Sequence, residues 1–211
     1  MPVKTDREYR KFEGVELRKS EDGRMVVEGY ATTFDQPYYL MGDDKITINE
    51  QVDRHAFDET DMSDVIMQYD HEGRVFARLS NGTLKLTDDD HGLKVEADLG
   101  GTDIGRQLYQ EIEGGYTNKM SFGFTVTGDK KTRSKDENGH ITVLRTITKI
   151  GKLYDVSAVS LPANDATEIS ARSIGDGLIA EALEEVQAEE ERERRIGEIR
   201  KLLKGDQDHD A

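Results

Sequence analysis

Hydrophobic and polar residues alternate over short stretches in the first two-thirds of the chain, which predicts β-strands separated by turns. Residues 45–49 alternate strictly, as expected of a strand with one buried face. Residues 64–69 form a nearly continuous apolar run, which is typical of a fully buried strand. A Ser-Asn-Gly-Thr turn at residues 80–83 predicts a hairpin. The strands predicted here are residues 24–31, 45–49, 64–69, 74–79, 84–87 and 93–99.

One predicted helix, at residues 103–113, interrupts these strands. Thr102 is a suitable N-cap, apolar residues follow at helical spacing, and Gly114 with Gly115 provides a stop. Further strands are predicted at residues 119–127, 141–150 and 153–161. The charged segment between the first two of these, residues 128–140, is predicted to be a mobile loop.

The composition of the chain changes sharply beyond about Arg172. Residues 177–204 are rich in Ala, Glu and Arg and carry a thin stripe of apolar positions, which predicts a long helix. Such a helix buries little surface alone, so we expect it either to self-associate or to tether the protein to a partner. The sequence therefore predicts a folded domain at residues 1–172 and a charged helical tail at residues 173–211.

The charge of the chain limits the classes of partner. The 211 residues include 44 acidic and 29 basic side chains, which gives a net charge of -15. This balance argues against a nucleic acid or an anionic membrane as partner, because phosphate binding requires a basic surface. The chain has no cysteine, which excludes disulfides and thiolate metal sites. We also find neither the apolar segment of a secretory signal nor an apolar run of membrane-spanning length.

Three predicted strands each carry one group of a nucleophilic hydrolase. His71 follows an apolar run, Ser121 lies in the middle of a strand, and Asp155 stands at the start of an apolar stretch. A serine hydroxyl becomes an effective nucleophile when a base accepts its proton, and an imidazole suits that task near neutral pH. A carboxylate behind the imidazole would fix its tautomer. From these residues alone, the competing interpretation is a solvated serine, a turn histidine and an aspartate at a strand edge.

The strand that carries the serine has two distinct faces. Met120, Phe122 and Phe124 fall on one face, which we expect to lie in the core. Ser121 and Gly123 fall on the other face, where we expect the glycine to leave room for a substrate.

The remaining histidines do not predict a metal site. His91 follows three consecutive aspartates at residues 88–90, which raises the alternative of calcium binding. A calcium loop needs a longer and more regular ligand spacing, so we expect a solvated turn instead. His55 is predicted to begin a short helix. We therefore expect neither a metal nor a cofactor.

Several segments, in order along the chain, resemble the prohead (capsid maturation) proteases of tailed phages, the HK97-type family. The resemblance spans roughly residues 26–170 and rests on the order and spacing of several motifs rather than on one of them. The matching segments are residues 28–34 (Glu-Gly-Tyr-Ala-Thr-Thr-Phe), 55–57 (His-Ala-Phe), 65–71, 92–95, 120–124 (Met-Ser-Phe-Gly-Phe) and 155–163.

This resemblance implies a mainly β (α+β) fold of the herpesvirus-protease type, a closed β-barrel wrapped by a few helices, here followed by a long C-terminal helix. It implies a serine endopeptidase with Ser121 as nucleophile, His71 as general base and Asp155 as the third member of the triad. Many members of the family have a glutamate at the position of Asp155, so the carboxylate of this chain is one methylene shorter. Donors for an oxyanion hole are not identified, and Gly100 with Gly101 is the one suggestion.

The resemblance also implies partners and a place of action. Such enzymes cleave a phage scaffolding protein, or the scaffold-like arm of the major capsid protein, inside the procapsid in the host cytoplasm, and usually cleave themselves. The tail would be a scaffold tether or a removable propeptide-like segment, and a homodimer or higher oligomer is possible. Two alternatives stay open: a catalytically silent capsid-assembly protein that docks through the barrel and associates through the helix, and an unrelated β-barrel binding module.

Overall fold

The chain folds mainly into β-strands, as the sequence predicts. A computed structural model describes residues 7–13, 15–19, 24–159 and 165–205. The helices in these ranges are α1 (Asp103–Glu113) and α2 (Asp165–Gly205). The strands are β1 (Arg7–Glu13), β2 (Val15–Lys19), β3 (Met25–Thr33), β4 (Tyr38–Gly42), β5 (Ile46–Val52), β6 (Ile66–Tyr69), β7 (Glu72–Arg78), β8 (Leu84–Asp88), β9 (Gly92–Asp98), β10 (Lys119–Lys135) and β11 (Ile141–Val159).

The strands form two sheets. In the larger sheet the strand order is β1-β10-β11-β5-β4, and β6 pairs with both β11 and β7. The smaller sheet has the order β2-β3-β9-β8. An isolated bridge between Phe34 and Val52 joins the end of β3 to the larger sheet. Within the ranges given above neither sheet closes on itself, so the closed barrel stays a prediction.

Strand β11 organises the larger sheet. It runs antiparallel to β10 along nearly its whole length, parallel to β5 at residues 141–147, and parallel to β6 at residues 155–158. The sequence predicts two strands here, at residues 141–150 and 153–161, and the structure joins them into one. A register shift between Thr125 and Val126 accommodates the break, because Lys152 and Ile150 pair with these two neighbours and Gly151 becomes the extra residue of a bulge.

The main core fills the space between the sheets. Phe122, Phe124 and Val156 from the larger sheet are buried in the same cluster as Val27 and Val95 from the smaller one. The predicted inward face of β10 is therefore confirmed. Helix α1 adds its buried face to this core, and its bounds match the predicted helix. Its N-cap is also as predicted, because the Thr102 hydroxyl accepts a hydrogen bond from the Gly105 amide at 3.1 Å.

The predicted mobile loop at residues 128–140 is wrong. β10 continues to Lys135, and the turn occupies only residues 136–140, where Asp136 accepts hydrogen bonds from the Asn138 and His140 amides. Charged residues tolerate this extended hairpin because backbone pairing with β11 fixes them while their side chains reach solvent. Lys131 also forms an ion pair with Glu181 of α2 at 2.5 Å.

Helix α2 is longer than the sequence predicts, because it begins at Asp165 rather than at Gly177. Its buried residues Leu178 and Ala182 pack against Ile48 and Val143 in a second, smaller apolar cluster. Farther along the helix, Ile199 is 55% exposed. Neither described helix is long and apolar enough to cross a membrane. The predicted domain boundary after residue 172 falls inside α2, and the division into two units stays a prediction.

Candidate active site

Ser121 lies on β10, which runs between β1 and β11 in the larger sheet. Its neighbours in the sheet are Lys11 of β1 and Ser157 of β11. The inward residues Met120 and Phe122 anchor the strand in the core, so Ser121 faces the opposite side of the sheet. Ser121 is nevertheless fully buried, which contradicts the interpretation of a solvated surface serine.

His71 lies in a tight turn rather than on a strand. Asp70 and His71 form the two-residue connection between β6 and β7, and both have a positive φ, of 49° and 61°. Two consecutive positive φ values are typical of a type I′ hairpin turn, which usually prefers Asn-Gly. For non-glycine residues this conformation costs free energy, and such strain is concentrated at functional sites. The turn projects the imidazole back over the sheet.

Asp155 completes a hydrogen-bonded chain of three side chains. Its Oδ1 lies 2.5 Å from Nδ1 of His71, and Nε2 of His71 lies 2.6 Å from Oγ of Ser121. A carboxylate can only accept, so Nδ1 carries the proton and the neutral imidazole accepts from the serine hydroxyl at Nε2. The Ser157 hydroxyl also donates to Asp155 Oδ1, at 2.9 Å. The structure thus brings together the three candidate residues, and Ser157 is an addition that the sequence did not reveal.

This arrangement has the connectivity that activates a serine nucleophile. The base touches the hydroxyl that it must deprotonate, and the carboxylate holds the base in the required tautomer. The His71 side chain is only 7% exposed, so water competes little for its hydrogen bonds. Beside the turn, a cleft of about 350 Å³ between β7 and α1 is lined by Tyr69, Glu72, Phe76 and Leu108, among others.

Gly123 is essential to the packing of the site, although for a different reason from the predicted one. A Cβ atom added to Gly123 would lie 2.8 Å from Cε1 of Tyr9 and closer still to Oδ2 of Asp155. The space left by the missing side chain is therefore filled by the carboxylate and the tyrosine ring, and not by a substrate.

Replacing Gly123 with alanine is expected to lower kcat by about 100-fold, because the new methyl group must displace Asp155 from His71. Steady-state kinetics on a peptide substrate would measure the loss. Gly177→Ala is the matched control, since a Cβ atom there meets nothing within 4 Å. Full activity of the Gly123→Ala enzyme would mean that the position of Asp155 is not critical.

Strand β1 contributes two residues that the sequence analysis missed. The Tyr9 ring lies edge-on to the His71 imidazole, with ring centroids 4.4 Å apart. Nη1 of Arg7 lies 3.9 Å from Oδ2 of Asp155. The sequence gives little indication of these contacts, because β1 is rich in charged residues and its partner strand β10 lies more than 100 residues away in the chain.

The other face of β1 carries a buried ion cluster, formed by Glu8, Arg10, Glu50 and Arg145. Glu50 accepts hydrogen bonds from Nε and Nη2 of Arg10, and from Nη1 of Arg145 at 2.7 Å. Glu8 accepts from Arg10 at 2.6 Å and from Arg145 at 2.9 Å. The Tyr38 hydroxyl also donates to Glu50, at 2.5 Å. Each charge in this cluster therefore faces opposite charges, as burial requires.

The protonation states in the ion cluster follow from its geometry. Burial alone would raise the pKa of Glu50, but the charge and hydrogen bonds of Arg10, with the charge of Arg145, lower it instead. Burial also raises the pKa of Tyr38, and the neighbouring Glu50 charge raises it further. Glu50 consequently accepts its hydrogen bonds as a carboxylate at neutral pH, and Tyr38 donates as a neutral phenol.

The other predicted candidates lie outside this site. The His91 ring packs edge-on against Tyr30, and Asp89 accepts hydrogen bonds from the amides of His91 and Gly92, so the acidic segment forms a turn. Among the described residues, no group of three His, Cys, Asp or Glu side chains could hold a metal ion. The Gly100 amide donates to Asp98 at 3.0 Å, so it is already used and the suggestion of an oxyanion donor gains no support there.

Comparison with known proteins relates this chain to a protease family and to a solved phage protein. Residues 13–178 match the family model of the caudovirus prohead serine proteases, which is well over half of the chain. The solved structure of the bacteriophage T4 capsid assembly protease gp21 is similar, with 11% identity and a TM-score of 0.40. That match covers 74% of this chain and 99% of the T4 chain. No curated protein matches the chain at a significant level.

Proposed function

Because the chain belongs to the caudovirus prohead serine protease family, and so is a serine protease of phage capsid maturation, we propose that Ser121, His71 and Asp155 are its catalytic triad. The observation that carries this proposal is the unbroken hydrogen-bonded chain from Oγ of Ser121 through the imidazole to Oδ1 of Asp155. Its members come from β10, the β6–β7 turn and β11, so only the folded protein assembles them.

The proposed reaction uses each contact in turn. As Oγ of Ser121 attacks the scissile carbonyl carbon, its proton passes to Nε2 of His71, and the negative charge of Asp155 stabilises the imidazolium. His71 then protonates the leaving amine, which leaves an acyl-enzyme on Ser121. A water molecule, deprotonated by the same imidazole, releases the acyl group. Ser157 supports the sequence of steps by holding the carboxylate oxygen that faces His71.

We further propose that the substrates are the phage scaffolding protein or the scaffold-like arm of the major capsid protein, and the enzyme itself. The family supports a role in the prohead, and the exposed Ile196 and Ile199 of α2 support a tail that remains available for a scaffold contact or for removal. The enzyme would then act inside the procapsid in the host cytoplasm. The division into a protease domain and a tail belongs to the same proposal.

Self-cleavage in trans provides the test. His71→Ala removes the base and so supplies a full-length, inactive substrate, which is incubated with the parent enzyme and followed by intact-mass spectrometry. The expected result is time-dependent truncation of the variant when the parent is present and none when it is absent. The masses would show whether cuts fall in the tail.

A matched incubation with the cognate scaffolding protein separates two outcomes. Cleavage of scaffold without self-cleavage would retain the maturation role and exclude self-processing. If neither protein were cut under any condition, the catalytically silent assembly role would become the better explanation of the fold.

A further inference from the structure

One oxygen of the Asp155 carboxylate has no hydrogen-bond partner among the described residues. Oδ1 accepts from His71 and Ser157, whereas Oδ2 is buried and accepts no hydrogen bond within the described part of the chain. Oδ2 points toward Gly123 and Tyr9. Burying a carboxylate oxygen without a partner costs free energy, so a nearby cation stabilises the ionised carboxylate at this position.

Arg7 is the cation that faces this oxygen. Its Nη1 lies 3.9 Å from Oδ2, and its guanidinium stacks on the Tyr154 ring at 3.7 Å from the centroid. Nη1 also lies 3.5 Å from the Tyr9 hydroxyl. Two aromatic side chains thus hold the arginine beside the carboxylate, and a planar guanidinium is better suited to such a stack than an ammonium group.

We propose that Arg7 is the counter-ion of Asp155 and hence a positioning residue for the proposed triad. It holds the carboxylate in the orientation that His71 requires, and it offsets part of the negative charge that the imidazole senses. The inference rests on the proposed function, because its role is to set the geometry and basicity of the group that activates Ser121.

The placement of Arg7 is fixed from the far side of β1. Glu8 and Arg10 alternate with Arg7 and Tyr9 along the strand, so their side chains point to the opposite face of the sheet. Those two residues belong to the buried ion cluster, where Arg10 is 3% exposed. The cluster therefore holds β1 in register while the alternate residues contact the catalytic face.

The proposal predicts a change in pH dependence with a definite sign. Removing the arginine charge leaves Asp155 uncompensated, which favours the protonated imidazole. The acidic limb of the kcat/KM profile should therefore move to higher pH, by about half a pH unit given the partial exposure of Arg7. In the described part of the chain, the charged and titratable groups near His71 and Asp155 come from three places. They are Arg7 and Tyr9 of β1, Lys152 and Tyr154 of β11 with Asp61 beside Lys152, and Asp70 and Glu72 flanking His71.

The test compares Arg7→Met with Lys152→Met. Lys152 is also a cation over the Tyr154 ring, at 5.5 Å, but it is paired with Asp61 at 2.7 Å and not with Asp155. Both variants lose one positive charge near the same ring. We expect Arg7→Met to lower kcat by about 3- to 10-fold with little change in KM and to shift the acidic limb, whereas Lys152→Met leaves both unchanged. Arg7→Lys should move the acidic limb part of the way back toward its position in the parent enzyme.

Titration of the His71 imidazole by NMR supplies a readout that does not depend on activity. A higher titration midpoint in Arg7→Met than in the parent and in Lys152→Met supports the counter-ion role. Identical midpoints and identical acidic limbs in all three proteins would overturn it, as would a loss of kcat accompanied only by a lower melting temperature. An inactive parent with a shifted midpoint would instead count against the proposed function alone.

Discussion

Replacing Ser121 with alanine is expected to lower peptide cleavage by about 10⁴-fold or more, because the variant retains the fold and loses the nucleophile. The change removes one hydroxyl, and the Phe122 and Met120 side chains that anchor β10 stay in place. Cleavage of a scaffold-derived peptide, followed by mass spectrometry, would measure the effect. The thermal unfolding midpoint should remain within a few degrees of the parent.

Two serines provide graded controls for this prediction. Ser134→Ala makes the same chemical change on the same strand, but in its exposed far end, and should leave activity unchanged. Ser157→Ala removes a hydrogen bond to Asp155 without touching the nucleophile, so an intermediate loss of about tenfold is expected. Activity of the Ser121→Ala enzyme equal to that of Ser134→Ala would exclude Ser121 as the nucleophile.

Replacing Glu50 with glutamine is expected to have the largest effect on stability, lowering the free energy of unfolding by about 3–5 kcal/mol. Glu50 has no exposed surface and accepts from both Arg10 and Arg145. The neutral amide would leave these two buried cations with Glu8 and Asp129 as their carboxylate partners among the described residues. Denaturant unfolding would show a lower midpoint. A small loss would mean that the two arginines find new acceptors or reach water.

The matched control is Glu59→Gln. Glu59 also pairs with a cation, Lys149, but both side chains are more than half exposed. Surface ion pairs contribute little because solvent screens them, so no measurable change in the unfolding midpoint is expected. Equal effects at Glu50 and Glu59 would show that burial of the ion cluster is not what makes Glu50 important.

The Glu50 carboxylate makes the free energy of unfolding depend on pH in a definite direction. The pKa of Glu50 is lowered in the folded state from its ordinary value of 4.5, so the unfolded chain binds a proton more readily. The stabilisation is fully present above pH 4.5 and is lost as pH falls through the lower, folded-state pKa. The parent should therefore lose stability with acidification below pH 4.5, and Glu50→Gln should show a weaker decline over the same range.

Elements with a local signal could be predicted from the sequence. α1 has a capping threonine, a periodic apolar face and a glycine stop, and the turn after β7 has an Asn-Gly signal. The hairpin predicted around that turn is wrong, because β7 pairs with β6 in the larger sheet and β8 pairs with β9 in the smaller one. Both signals act between residues close in sequence. β1 gives no such signal, because its arginines and glutamates suit a strand only when β5 and β11 supply opposite charges. The extension of β10 beyond residue 128 pairs with β11 across the turn at residues 136–140, but its charged sequence predicts a loop.

The residues of the candidate site also differ in whether the sequence near them predicts their role. Ser121, His71 and Asp155 each lie in a recognisable motif. Their grouping in one site could therefore be predicted, although the distances between them could not. Arg7 and Tyr9 stand in no motif, and they reach the site only because β1 pairs with β10. The role of Gly123 was predicted as open space because the neighbours that fill that space come from other strands.

Alternate side chains of β1 face opposite sides of the sheet, so the register of this strand decides which residues reach the catalytic face. Sliding β1 by one residue against β10 would turn Arg7 and Tyr9 toward the core and bring Glu8 and Arg10 to the catalytic face. The buried ion cluster and the contacts with His71 and Asp155 would then be lost together. Single-residue insertions or deletions within the strand should therefore be eliminated during evolution. Changes of two residues keep the same side chains on each face but still move them by about 7 Å along β10, so the length of this strand is constrained as well as its alternation.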